Sequence, residues 1–135
     1  MALMAALTFA GFAQPAAEEE PRAEVYFEKT THDFGSIFQG GNGTYQFEFS
    51  NTGNAPLVLS NATSSCGCTV PSYPKTPIAP GEKGTIVVKY DTNRLGSFHK
   101  SVTVTSNAKS ASSVVLHIKG EVKAVPAEAT EEAAQ

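Results

Sequence analysis

The sequence predicts an all-β domain, an immunoglobulin-like antiparallel β-sandwich of about seven strands. Apolar and polar residues alternate with period two along several stretches, and no stretch shows the helical period of about 3.6 residues. Turn-forming residues, mainly Gly, Asn and Pro, separate these stretches at short intervals. The chain has 135 residues, which suits one ordinary domain and is too short for two.

The expected strands are assigned one by one from their patterns. The first covers 24–29, and a less regular one follows at 34–38. The next is the clearest, because Tyr45, Phe47 and Phe49 alternate with polar residues, as in a strand with one face on the core and one in water. The remaining strands are expected at 56–60, 85–90, 101–105 and 113–119.

Phenylalanine and branched aliphatic residues should form the core. The chain has no Trp, and its two Cys are too close in sequence to form the inter-sheet disulfide of antibody domains. Large Phe side chains are the available replacement, because each can bury about 150 Å² or more. The expected core contains Phe27 or Tyr26, Phe34, Phe47, Phe49, Val88, Val102, Leu116 and Ile118.

The two ends of the chain differ in composition from the domain at 24–122. Residues 1–13 are apolar and end in small residues, which predicts a signal peptide. The stretch is shorter than the about 20 residues of a membrane span. It also lacks a basic residue at its front, so we expect the signal to begin upstream of Met1. Residues 14–23 should form a flexible linker and 123–135 a disordered Ala- and Glu-rich tail. The mature chain is therefore expected to be periplasmic or secreted, without a transmembrane segment.

Charge and residue pattern argue against several classes of protein. The net charge is -3 and the basic residues occur singly, which disfavours nucleic acid as a partner. His99 and His117 fall on the solvent faces of their strands, and His32 is expected at a bend where Asp33 accepts backbone N–H groups. No nucleophile–His–carboxylate set, phosphate loop or set of zinc ligands is visible. We therefore predict no catalytic and no cofactor-binding residues.

Cys66-Gly67-Cys68, in a turn-rich segment, is the most distinctive chemical feature. In an extended strand, Cα atoms two residues apart are separated by about 6.6 Å. This is near the upper limit for a disulfide, so the chain must bend at Gly67 to close one. So short a ring removes only about 1.5 kcal/mol of entropy from the unfolded chain. A disulfide here should contribute little to stability and be easily reduced.

Three interpretations of this pair remain open. Cys66 and Cys68 exchange disulfides with another thiol, or their thiolates bind a soft ion such as copper(I), which accepts few ligands. Alternatively, the two thiols only pack in a kinked loop beneath Pro71 and Pro74. Zinc is disfavoured, because it needs four ligands and the His residues do not converge on this loop.

An ordered set of motifs resembles one bacterial family. The set includes His32-Asp33-Phe34-Gly35, Phe47-Glu48-Phe49-Ser50-Asn51-Thr52-Gly53, Ser65-Cys66-Gly67-Cys68-Thr69, Ile78-Ala79-Pro80-Gly81-Glu82 and Ile118-Lys119-Gly120-Glu121-Val122. It resembles the domain of unknown function 1573, an exported immunoglobulin-like module related in fold to sperm-protein and Hydin-type domains, over residues 25–122. The resemblance implies the sandwich fold and an envelope location, but no activity. It marks Cys66 and Cys68 as the family's signature, with Gly67 and Thr69 in support.

These observations favour a non-enzymatic interaction module of the bacterial envelope, whose partner is another envelope protein. Loops or open strand edges of a sandwich can accept such a partner. Two alternatives stay open: a thiol-disulfide or copper carrier acting through Cys66 and Cys68, and a purely structural envelope protein.

Overall fold

In the computed structural model, the described part of the chain is Gly11 together with residues 20–126. The predicted signal peptide, 1–13, lies outside the described residues except for Gly11, as do most of the predicted linker and most of the predicted tail. The described residues contain strands and no helix, which confirms the all-β class.

The described domain has eight strands, one more than expected. They are β1 Val25–Phe27, β2 Thr31–Phe38, β3 Thr44–Asn51, β4 Leu59–Ser64, β5 Thr69–Ser72, β6 Lys83–Tyr90, β7 Gly96–Ser106 and β8 Ser113–Lys123. The first sheet has the order β1-β3-β6-β5 and the second sheet the order β2-β8-β7-β4. The additional strand is β5, which the sequence pattern did not indicate because Pro71 interrupts it.

The chain changes sheet between its first two strands. β1 pairs antiparallel with β3 in the first sheet, whereas β2 pairs parallel with β8 in the second. The expectation of an entirely antiparallel sandwich is therefore wrong for this pair. Because β1 and β2 lie in different sheets, they form no hairpin, and the topology of the whole domain sets the direction of β2 relative to β8.

One apolar core holds the domain together. Six residues expected in it are buried: Phe47, Phe49, Val88, Val102, Leu116 and Ile118. Phe27 is also buried, with its ring centroid 5.5 Å from that of Phe49, whereas Tyr26 is 56% exposed. Phe34 is half-buried against the core. Burial of this apolar surface is the main driving force for folding, so the period-two pattern identified the inward face correctly.

The packed part of the chain begins before residue 24. Ala23 is 3% exposed, and its carbonyl accepts a hydrogen bond of 2.9 Å from the Lys109 N–H. The Arg22 carbonyl accepts the N–H groups of Asn54 at 2.9 Å and Ala55 at 3.2 Å. Residues 22 and 23 are therefore bound to the domain by backbone hydrogen bonds, as its strands are bound to one another.

Three loops meet at one end of the sandwich. They are 39–43 between β2 and β3, 65–68 between β4 and β5, and 91–95 between β6 and β7. The Gly40 N–H donates to the Thr92 carbonyl at 3.1 Å, and the Asp91 N–H donates to the Cys68 carbonyl at 2.8 Å. We call this the disulfide end, because loop 65–68 contains both cysteines.

Candidate functional site at the disulfide end

Cys66 and Cys68 form a disulfide across a tight turn. Their Cα atoms are 5.3 Å apart, which is within the usual range for a bridge. The Thr69 N–H closes the turn by donating to the Cys66 carbonyl at 3.3 Å. The chain thus bends where the sequence required a bend.

The turn does not depend on the conformational freedom of glycine at position 67. The described glycines with positive φ are Gly35, Gly40, Gly81 and Gly96, and Gly67 is not among them. A Cβ at position 67 would meet no atom within 4 Å apart from its two chain neighbours. Other residue types would therefore fit this backbone. The lack of a side chain at Gly67 leaves the outer side of the loop open.

The two sulfur atoms lie in different surroundings. Cys66 is half-buried, and its Sγ accepts the N–H of Cys68 at 3.1 Å. Cys68 is only 7% exposed, and its Sγ lies 3.7 Å from the hydroxyl oxygen of the buried Thr69. Residue 66 is consequently partly accessible to solvent, whereas residue 68 is almost fully buried.

Contacts on both sides hold the loop in place without using either sulfur. The Ser65 N–H donates to the Ser101 carbonyl at 2.9 Å, and the Ser101 N–H donates to the Ser65 hydroxyl at 3.2 Å. On the other side, Thr69 opens β5 and pairs with Tyr90 of β6. The position of the loop is therefore fixed by the sheets rather than by the bridge.

A cleft of about 620 Å³ opens beside the disulfide. One side of the cleft contains Gly67, Cys68 and Val70. The other consists of residues 40–43, which we call the glycine-rich loop, and residues 91–93. The Val70 side chain is 62% exposed. A volume of this size lies within the usual range of binding sites for small ligands.

The glycine-rich wall of the cleft is held rigidly. A Cβ on Gly43 would lie 2.6 Å from the Tyr90 carbonyl oxygen, so no side chain fits there. The Thr92 hydroxyl donates to the Gly41 carbonyl at 2.7 Å, and the Gly41 N–H donates to the Phe38 carbonyl at 2.8 Å. A wall that is ordered before binding lowers the entropic cost of binding.

His32 lies within β2, not at a bend as the sequence indicated. Its half-buried ring stacks on the ring of Tyr45, with 3.7 Å between centroids. Desolvation, followed by the positive charge of Lys29, lowers the pKa of His32, and Asp33 opposes this effect. Asp33 does accept a backbone N–H, that of Gly35 at 2.8 Å, as expected.

His99 and His117 lie on neighbouring strands, with ring centroids 5.2 Å apart. Their proximity is not visible in the sequence, because it depends on the pairing of β7 with β8. Within the part of the chain that the structure describes, no group of three or more His, Cys, Asp and Glu is placed to hold a metal ion. A copper(I) site of two thiolates at Cys66 and Cys68 would first require reduction of their bridge.

The edges of the sheets are poorly suited to pairing with a partner strand. Edge strand β5 contains Pro71, which has no N–H to donate, and edge strand β1 has three residues. β2 and β4 both carry irregularities in their pairing register. Short, irregular or Pro-containing edges are features by which native sheets avoid strand addition. The cleft is therefore the better candidate for a binding site.

Comparisons with known proteins identify a family and a fold. The model of the family described as Protein of unknown function (DUF1573) matches residues 25–122. Comparison with curated proteins finds no match. No helix among the described residues is long and apolar enough to cross a membrane.

Several solved structures have a similar fold at low sequence identity. A protein of unknown function from Porphyromonas gingivalis has a TM-score of 0.65 and 20% identity, over 73% of this chain and 46% of that one. The ASH/PapD-like domain of human CEP192 also has a TM-score of 0.65, with 9% identity over 89% of this chain and 99% of that one. The CsuC–CsuE chaperone–tip adhesion subunit complex from Acinetobacter baumannii gives a TM-score of 0.52 and 12% identity, over 84% and 65% of the two chains. This chain thus spans less than half of the P. gingivalis protein.

Proposed function

The chain belongs to the family described as Protein of unknown function (DUF1573), and we propose that it is an exported, non-enzymatic interaction module of the bacterial envelope. Its partner is another envelope protein, a segment of which binds in the cleft at the disulfide end. The observation that carries this proposal is a cleft of about 620 Å³ between walls that hydrogen bonds hold in place.

The lining of the cleft suits an extended segment of polypeptide. Val70 offers an exposed apolar side chain, while Lys89 and Asp91 supply charges of both signs. The glycine-rich wall allows a second backbone to approach closely, because it carries few side chains. We therefore expect the bound segment to place an apolar side chain against Val70 and polar groups near Lys89 and Asp91.

Export is supported by the apolar residues 1–13 and by the disulfide. Disulfides persist in oxidising compartments such as the periplasm and are rare in the cytosol. A chain in the A. baumannii chaperone–tip adhesion subunit complex has a similar fold, so a related fold takes part in a protein–protein complex in that case.

The proposal is tested with the exported protein as bait for envelope extracts of a bacterium that makes it. Val70→Glu introduces a charge into the cleft, whereas Val115→Glu makes the same change at a valine of β8 that is 44% exposed. We expect wild type and Val115→Glu to retain the same partner, and Val70→Glu to bind it at least about tenfold more weakly, a loss of about 1.4 kcal/mol. The intact mass of the exported bait should show a chain that starts near Gln14.

Two results would contradict this proposal. One is equal retention of the partner by both variants, which would place the binding surface outside the cleft. The other is a chain that keeps residues 1–13 and remains in the cytosol, which would exclude an envelope function.

A further inference from the structure

We propose that the Cys66–Cys68 disulfide exchanges with the thiols of a dithiol protein, and that Cys66 Sγ is the atom attacked. The inference rests on the proposed function for the way in which such a protein is brought to the disulfide end. The exchange reaction depends only on the two cysteines and can be tested with small thiols. Failure of the exchange test therefore leaves the proposed function intact, and the reverse also holds.

Unequal accessibility selects the attacked sulfur. Cys66 is half-buried in a loop whose next residue, Gly67, is exposed and has no side chain. Cys68 is 7% exposed, and its carbonyl is tied to the Asp91 N–H. An incoming thiolate must reach a sulfur directly for exchange to occur. Cys66 is the more exposed of the two residues, so we infer that its sulfur is the one reached from solvent.

Both sulfurs have hydrogen-bond donors that suit a thiolate. The Cys68 N–H already points at Cys66 Sγ at 3.1 Å, and the Thr69 hydroxyl lies 3.7 Å from Cys68 Sγ. Donors of this kind favour the charged form of a thiol. Stabilisation of the reduced form makes a disulfide a stronger oxidant. These donors favour the reduced form of the bridge, while the burial of Cys68 opposes the charged form of its own thiol.

The anchors of the loop do not involve the bridge. Ser65 is bound to Ser101 and Thr69 is paired with Tyr90, so we expect both contacts to persist when the bridge opens. The bridge joins residues two positions apart, so its loss returns little conformational entropy to the unfolded chain. Reduction and reoxidation can therefore proceed within the folded domain, which a bridge used for exchange requires.

The exchange is a transfer of two electrons in two displacement steps. A thiolate of the partner attacks Cys66 Sγ and forms a mixed disulfide, while the bond to Cys68 breaks and its electron pair leaves on Cys68 Sγ, which takes up a proton from water. The second thiolate of the partner then attacks the partner's first sulfur, which is held in the mixed disulfide. This step closes the partner's disulfide and releases the Cys66 thiolate. The partner dithiol is oxidised to a disulfide, and Cys66 and Cys68 are reduced.

The first test is equilibration of the purified domain with mixtures of reduced and oxidised glutathione. Trapping of free thiols by alkylation, followed by mass measurement, gives the reduced fraction at each ratio. We expect a gradual transition between the two forms, with an unchanged far-ultraviolet circular dichroism spectrum throughout. A bridge that stays closed in excess reduced glutathione until the domain unfolds would overturn the proposal.

The second test asks which sulfur is accessible. Cys68→Ser leaves Cys66 as a single thiol, and Cys66→Ser leaves Cys68. With dithiobis(nitrobenzoate) as the probe, Cys66 in the folded domain should react at least about tenfold faster than Cys68. Both thiols should react at the same rate in guanidinium, which controls for intrinsic reactivity. Equal rates in the folded state would overturn the assignment of Cys66.

Two measurements on the wild-type domain separate this proposal from the proposed function. Equilibration with glutathione needs no partner, and the bait experiment with the bridge closed needs no exchange. Exchange with glutathione but no retained partner would support the redox proposal and contradict the proposed function. A retained partner but no exchange would support the proposed function and contradict the redox proposal.

Discussion

Asn51 is a buried polar side chain that connects three parts of the chain. It is 1% exposed, and its Nδ2 donates to the carbonyls of Ala55 at 2.7 Å and Ile78 at 2.9 Å. Its Oδ1 accepts the Gly53 N–H at 2.9 Å. The sequence indicated only a turn at this position, because Asn followed by Thr and Gly is a common turn sequence. Its burial depends on the distant segment around Ile78, which no local pattern reveals.

Replacement of Asn51 by Ala should strongly destabilise the domain. The change removes the donor to two carbonyls, of which that of Ile78 keeps the Leu57 N–H, and the acceptor for the N–H groups of Gly53 and Glu24. Each buried group left without a partner costs about 1–3 kcal/mol. Because some of these groups can reach water after the change, we expect a total loss of about 2–4 kcal/mol in the free energy of unfolding. Chemical denaturation monitored by circular dichroism measures it.

Asn61→Ala is the matched control for that experiment. Asn61 is exposed, and its Oδ1 accepts only the N–H of its neighbour Ala62 at 3.0 Å. Its loss should cost less than about 0.5 kcal/mol. Similar losses in both variants would show that the Asn51 network contributes no more than a surface turn.

At the scale of elements, an aromatic stack links the two sheets near the segment that connects β1 to β2. His32 of β2 lies against Tyr45 of β3, so it joins the second sheet to the first at the edge where the chain changes sheet. The ring of Phe34 meets His32 edge-on, with 4.5 Å between centroids. Protonation of His32 would place a charge in this partly desolvated stack and beside Lys29.

The lowered pKa of His32 predicts how stability depends on pH. The ordinary value is 6.5, so as the pH falls below it the unfolded chain takes up a proton more readily than the folded domain. Stability is therefore fully present well above pH 6.5 and should decrease as the pH falls through 6.5 towards the lowered pKa of His32 in the folded domain. His32→Phe keeps an aromatic ring on Tyr45 and should flatten this part of the profile, measured as melting temperature against pH.

His99→Gln is the control for the pH experiment, because His99 is exposed on β7. Its profile should run parallel to that of wild type. If His32→Phe keeps the wild-type slope, the pH dependence arises elsewhere in the domain.

How far the elements can be predicted depends on what each pattern encodes. Alternation in β3, β6, β7 and β8 identified both the strands and their buried faces, since one side of each faces the core. β5 was not predicted, because four residues containing a Pro give no periodic pattern. The parallel pairing of β2 with β8 was not predicted either, since pairing depends on the whole topology rather than on the sequence of either strand.

The candidate site was predictable only in part, for a similar reason. Cys66 and Cys68 are visible as a motif, and the distance across an extended strand already required a bend between them. The cleft beside them was not predictable, because its walls come from loops about 25 residues before and after the motif along the chain. The difference in exposure between the two sulfurs likewise arises from tertiary packing.

At the scale of the whole molecule, the two ends of the described chain differ in how they contact the domain. Arg22 and Ala23 are bound to the loops around Asn54 and Lys109, and Ala23 is buried. At the other end, residues 124–126 follow β8 and are exposed. Residues 22 and 23 therefore contribute contacts to the folded unit, whereas residues 124–126 are exposed to solvent.

Truncation at each end tests this asymmetry. A chain that starts at Glu24 loses the buried Ala23 and the carbonyls that satisfy Asn54, Ala55 and Lys109, so it should be about 1–3 kcal/mol less stable than a chain that starts at Gln14. Removal of 124–135 is the matched control and should leave the melting temperature unchanged, since the described residues there are exposed and the rest is rich in Ala and Glu. Thermal melts of the three chains decide the matter. Equal stability of the chains that start at Gln14 and at Glu24 would mean that water replaces the hydrogen bonds of residues 22 and 23 without cost. A lower melting temperature after removal of 124–135 would mean that the tail packs on the domain.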